Sequence, residues 1–177
     1  MRTGLIHFYF TMMFVFLGMT TWAQNFSFTE FENEKDSSRR VELAIESWNH
    51  YLRNNLDSIR IVGYELIKND SLTLYALGVR NLGSYYTRTN DINKGVELLK
   101  EAREKFLDLH LMILLSETEN ELGNAFFLQG NYNRASRYFL ASIVHGTATA
   151  DITAGYNGMI GFGKTVCATG DTAKGLL

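Results

Sequence analysis

The sequence predicts an all-α fold built from stacked antiparallel helix hairpins, and three observations carry that expectation. Leu82, Gly83 and Tyr86 recur as Leu122, Gly123 and Phe126, and again as Phe162, Gly163 and Val166, so the shared glycine returns at 83, 123 and 163, a step of 40. Asn90-Asp91, Gly130-Asn131 and Gly170-Asp171 keep the same step. A period of tens of residues marks arrays of helical hairpins that bury their apolar faces on one another. The third observation is the absence of proline from all 177 residues, which suits unbroken helices.

The chain opens with Arg2 and an apolar run over residues 5–19, interrupted only by His7, Tyr9, Thr11 and Gly18, and followed by Thr21-Trp22-Ala23. A positive start, a short apolar stretch and a small-x-small site predict a secretory signal peptide over residues 1–23. The run falls short of the roughly 20 apolar residues that cross a bilayer comfortably. Residues 24–40 are polar, charged and aperiodic, and read as a lead-in or linker. Phe26, Phe28 and Phe31 could instead cover the open end of the first hairpin.

A helical-repeat domain is expected from residue 41 onward. Val41, Ala44, Ile45, Trp48 and Leu52 keep the i, i+3, i+4, i+7 spacing of one buried helix face. Asn54 and Asn55 break it, and Ile59, Val62, Gly63 and Leu66 resume it on a second helix. Asn69, Asp70 and Ser71 end that helix and can cap the next. Tyr75, Val79, Leu82 and Tyr86 mark the third helix, and Ile92, Val96, Leu99 and Phe106 the fourth. Leu115, Leu122 and Phe126 mark the fifth, and Tyr132, Ala135, Phe139 and Ile143 the sixth. Ser116 with Glu119 has the spacing of a capping box, which would open the fifth helix at Glu117. Alignment with the following repeat opens it near Leu111 and is preferred. The same register begins another helix at Thr172, of which residues 172–177 would be the first six, leaving the last hairpin incomplete.

Composition narrows the function. Without residues 1–23 the balance is 16 basic against 19 acidic residues. A net of −3 argues against a nucleic-acid surface and gives no basic strip for anionic lipid. Cys167 is the only cysteine, so no disulfide holds the chain together, and it is expected to be buried as a small apolar residue. His50, His110 and His145 lack metal-ligand spacing, and no Ser/His/Asp or paired-carboxylate group recurs. No metal, cofactor or enzymatic activity is expected.

The repeating residues resemble the tetratricopeptide repeat. Its first helix carries a large-Gly-x-x-aromatic signature, and its second a small residue after a Gly/Asn-Asp turn. One copy is Leu122, Gly123, Phe126, Gly130, Asn131, Tyr132, Ala135 and Phe139. The copy before it is Leu82, Gly83, Tyr86, Asn90, Asp91, Ile92, Gly95 and Leu99, closing with Ala102. Residues 41–68 form a degenerate earlier copy, with Ser47 and Ile59 at its small positions. The resemblance covers about three quarters of the chain and implies a right-handed α-solenoid that binds a protein or peptide partner. The 40-residue step exceeds the family's usual 34, and the family's closing proline is absent. That longer step behind a signal peptide resembles the exported sensory regions of bacterial signalling proteins. It implies a periplasmic location, or one on the outer side of the inner membrane, with membrane contact only through the signal peptide or a segment beyond Leu177. An outer-membrane nutrient-binding protein would need a lipid-anchoring cysteine near Ala23, and none is there.

The inward positions implied by the resemblance define a candidate peptide-binding groove: Arg80, Ser84 and Thr87, then Asn120, Asn124 and Phe127, then Ile160 and Lys164. Arg80, Asn124 and Lys164 could hold a carboxylate or an extended peptide through charge-assisted bonds. The competing reading is a solvated polar face. A rival function comes from the string GMIGFGKT at 158–165, which matches the phosphate-loop pattern of nucleotide-binding enzymes. That loop needs a buried strand before it, whereas residues 151–157 are polar and glycine-containing, so a repeat helix is expected instead.

Overall fold

The computed structural model describes residues 28–149 and 152–170. The expected signal peptide, Phe26 and the helix expected from Thr172 all lie outside those residues. Among the described residues there are eight α-helices and no strand: α1 (Phe28–Asn33), α2 (Ser37–Asn54), α3 (Leu56–Leu66), α4 (Leu72–Arg88), α5 (Ile92–Asp108), α6 (Met112–Leu128), α7 (Tyr132–Thr147) and α8 (Ile152–Ala168). None of them is long and apolar enough to cross a membrane. The last five begin at 72, 92, 112, 132 and 152, a constant step of 20.

Local chemistry sets these boundaries. Asp36 caps α2 by accepting from the Arg39 backbone N–H at 2.8 Å, so the helix starts ahead of the periodic stripe that begins at Val41. Phe31 of α1 is buried and joins the core of α2 and α4, while Arg40 lies over its ring at 4.9 Å. Asn55 ends α2 and also caps α3, accepting from the Ser58 N–H at 3.2 Å. The Asn69 side chain donates to the Glu65 and Leu66 carbonyls, which closes α3. Ser71 occupies the N-cap of α4 without making a side-chain cap bond.

The turns after α4, α5 and α6 share one design. Asn90, His110 and Gly130 take φ of 69°, 55° and 70°. The following N–H groups of Asp91, Leu111 and Asn131 donate to the carbonyls of Tyr86, Phe106 and Phe126 at 2.9, 3.0 and 2.9 Å. This is the left-handed closure that satisfies the last carbonyls of a helix. It opens α6 at Met112, in agreement with the earlier of the two starts considered. Ser116 and Glu119 therefore lie inside the helix, where Ser116 Oγ donates to the Ser142 carbonyl at 2.7 Å.

Each helix packs on the next in sequence, and α2, α4, α6 and α8 also touch one another in order. No comparable contact joins α5 to α7. Glycine permits the closest approaches. A Cβ on Gly83 would lie 2.8 Å from Leu99 Cγ, and one on Gly123 would lie 2.5 Å from the Phe139 ring. Gly161 of α8 faces the same ring, which therefore sits between two glycine-bearing helices. For Gly123 the three nearest atoms all belong to Phe139, one turn past Ala135, because the ring is large enough to reach both α6 and α8.

Helix α8 runs unbroken through residues 158–165, and residues 152–157 before it are helical as well. The string GMIGFGKT thus forms a helix and not a phosphate-cradling loop, and Thr165 Oγ1 bonds the Gly161 carbonyl at 2.9 Å. Contrary to expectation, Cys167 is exposed. The packed face of α8 is Gly155, Gly158, Gly161, Thr165 and Val166, and a 100° step per residue carries Cys167 off it.

Replacing Gly with a larger residue in a helix normally gains up to about 1 kcal/mol of propensity. At Gly123 the pinned Phe139 ring opposes that gain. Gly123→Leu should lose about 1–3 kcal/mol by overpacking. Gln129→Leu, at an exposed site, should change stability by less than about 0.5 kcal/mol. Urea unfolding of the two variants beside the parent measures the difference, and equal midpoints for all three would contradict this packing.

Candidate ligand grooves

Helix α6 carries carboxylates at every second position, and each meets cations from other helices. Glu117 takes Arg80 of α4 at 2.6 Å. Glu119 is fully buried and takes Arg103 of α5 at 2.8 Å and His145 Nδ1 of α7 at 2.7 Å. Glu121 takes Arg88 of α4 at 2.6 Å and the Ser84 hydroxyl at 2.9 Å. Burial works against the Arg88 charge, but the Glu121 carboxylate outweighs it and raises the guanidinium above its ordinary pKa.

These pairings sort the residues that the sequence singled out. Arg80 is fully buried, bonded to Glu117 and stacked on Trp48 with its guanidinium 4.5 Å from the ring centroid. Its Nε and Nη2, and both polar side-chain atoms of Asn81, are buried without a hydrogen-bond partner among the described residues. Ser84 is buried against Glu121, and Thr87 bonds the Gly83 carbonyl at 2.9 Å. Asn120, Asn124 and Phe127 are half-buried, Ile160 is exposed, and Lys164 is exposed. Thr87, Asn124, Phe127 and Lys164 do converge, together with Arg88 and Phe139, on an open groove of about 330 Å³ where α4, α6 and α8 meet. Arg80, Ser84 and Asn120 do not line it. Arg88 escaped the sequence reading, although its spacing of four residues from Ser84 places it on the same helix face.

A second cleft, of about 460 Å³, opens between α5 and α7. It is lined by Lys100, Arg103, Arg134 and Arg137 with Phe126 and Tyr138. The two rings are stacked, with centroids 5.3 Å apart and planes at 7°. Arg134 lies over Phe126 at 5.5 Å, and Lys94 lies over Tyr86 at 3.8 Å, so this cation–ring contact repeats with the 40-residue step. Tyr86 also shares a 2.9 Å hydrogen bond with Tyr64, and the hydrogen bond from Lys94 lowers its pKa. Among the described residues no group of His, Cys, Asp and Glu has the arrangement to hold a metal ion.

Structural and available cations should separate by their effect on stability. Arg88→Ala leaves Glu121 buried and unpaired and should cost about 2–3 kcal/mol, the lower part of the range for breaking a buried pair because water reaches Arg88. Lys164→Ala should cost less than about 0.5 kcal/mol. Chemical unfolding reads both, and equal losses would contradict the division. No family model, curated protein or solved structure matches the chain, so a reading of its function rests on this geometry.

Proposed function

We propose that the protein is an exported α-solenoid of tetratricopeptide-like hairpins that binds a protein or peptide segment in the groove between α4, α6 and α8. The observation that carries the reading is the groove itself. Helix α6, in contact with both α4 and α8, helps bring an exposed lysine, an amide and an aromatic ring to one open groove. Supporting it are the 40-residue recurrence of Leu82, Gly83 and Tyr86 and the constant 20-residue step between helix starts. Lys164 supplies the charge for a carboxylate, since no ion pair occupies it among the described residues, whereas Arg88 is held by Glu121. Asn124 can bond peptide amides, and Phe127 offers an apolar face. The signal-peptide pattern of residues 1–23 and the longer repeat support a sensory role in bacterial signalling, with the peptide as the sensed or relayed partner.

An array of short peptides, each presented with a free C-terminal carboxylate and again as the amide, tests the groove directly. The expected result is a set of sequences bound preferentially as carboxylates, with Lys164→Ala weakening them about tenfold, or roughly 1.4 kcal/mol. Equal binding of acid and amide forms, or by Lys164→Ala and the parent, would contradict the proposal. N-terminal sequencing of the protein recovered from bacterial cells checks export, with Gln24 expected as the first residue.

A further inference from the structure

We propose that the cleft between α5 and α7 is a binding site for a small multivalent oxyanion, of the phosphate-ester or polycarboxylate kind. It stands apart from the peptide groove. The cleft lies where α5 and α7, each packed on α6, make no contact with each other comparable to that of α6 with α8, and Phe126 of α6 is buried at its base. Two turns of α5 and α7 then bring four cations around one cavity: Lys100 and Arg103 from α5, Arg134 and Arg137 from α7.

Neutralisation inside the protein is incomplete. Arg103 is paired with Glu119, which His145 also contacts. Lys100, Arg134 and Arg137 have no ion pair within 4.0 Å among the described residues, although Glu97 and Glu104 flank Lys100 at helical spacing. Three cations without an ion-pair partner thus surround one cavity in a chain whose net charge is −2. Like charges so placed repel one another and cost stability unless an anion joins them. The Arg134 guanidinium lies 5.5 Å from the Phe126 ring centroid, and no carboxylate holds its N–H groups among the described residues. Arginine forks suit the planar or tetrahedral oxygens of carboxylate and phosphate. A volume of about 460 Å³ suits a small ligand, and the Tyr138 ring and hydroxyl give it one apolar wall and one further polar contact.

Isothermal titration of the purified protein with inorganic pyrophosphate and, separately, with citrate tests the site at low ionic strength, where such contacts are least screened. At least one probe should bind with a Kd of about 0.1 mM or tighter. Arg137→Glu should weaken it at least about tenfold, because an exposed cation becomes an anion facing the ligand. Lys68→Glu makes the same change in net charge at an exposed site on the α3–α4 turn and should weaken it less than about twofold. Pyrophosphate bound more tightly than citrate would mark a phosphate-type ligand, and the reverse order a polycarboxylate. Both variants should keep the parent's circular dichroism and a cooperative melt, since neither residue is buried. The proposal is overturned if neither probe binds up to millimolar concentration, or if Lys68→Glu weakens binding as much as Arg137→Glu. Loss of peptide binding in the α4–α6–α8 groove would leave these titrations unaffected, so the two proposals fail separately.

Discussion

Glu119 is a carboxylate with no exposure to solvent, and most of what this structure can do follows from how it is satisfied. An unpaired buried charge would cost several kcal/mol, so Arg103 and His145 must both come to it. Those two residues lie on α5 and α7, which each pack on α6 more closely than on each other. Glu119 is therefore a polar tie that joins α5 and α7 through α6. Glu117 and Glu121, one step away on either side along α6, do the same towards α4 through Arg80 and Arg88. Helix α6 becomes the member to which its neighbours are referred.

The same row decides which cations remain for ligands. Arg80, Arg88 and Arg103 are each committed to an α6 carboxylate, while Lys164 on one face and Lys100, Arg134 and Arg137 on the other are not. Adjacent residues of α6 serve the two surfaces. Phe127 lines the groove with α4 and α8, and Phe126 forms the base of the cleft between α5 and α7. A helix whose successive side chains diverge by about 100° can thus contribute to two sites without either crowding the other.

Much of the architecture was legible because packing repeats. The glycines at 83 and 123 mark close helix approaches, and both lie within helices that meet a bulky residue of the next one. Apolar spacing located all six helices between residues 37 and 147, and the choice of Leu111 over Glu117 for the start of α6 came from repeat alignment. What could not be read was the pairing of polar residues. Arg80 sits at an inward-facing position of the pattern, yet Glu117, 37 positions later, removes it from solvent. Nothing in a 3.6-residue period distinguishes a solvated glutamate from one that is buried against a distant arginine. Cys167 misled for a related reason: burial depends on which side of α8 is covered, and a lone residue carries no periodicity. The cation–ring pairs Tyr86 with Lys94 and Phe126 with Arg134 were visible in principle, since both members recur at the 40-residue step.

The most direct measurement is a double-mutant cycle between Arg103 and Glu119, using Arg103→Met, Glu119→Leu and the combination, with unfolding free energies from urea denaturation. If the row on α6 organises the fold, Arg103→Met leaves the buried Glu119 with His145 alone and Glu119→Leu leaves the half-buried Arg103 without its carboxylate, each costing about 2–4 kcal/mol. The double variant, with apolar side chains in place of both charges, should then be more stable than the sum of the two losses predicts by about 1.5 kcal/mol or more. Losses that simply add, within about 0.5 kcal/mol, would show that Arg103 and Glu119 act independently and would contradict the central place given to this pair.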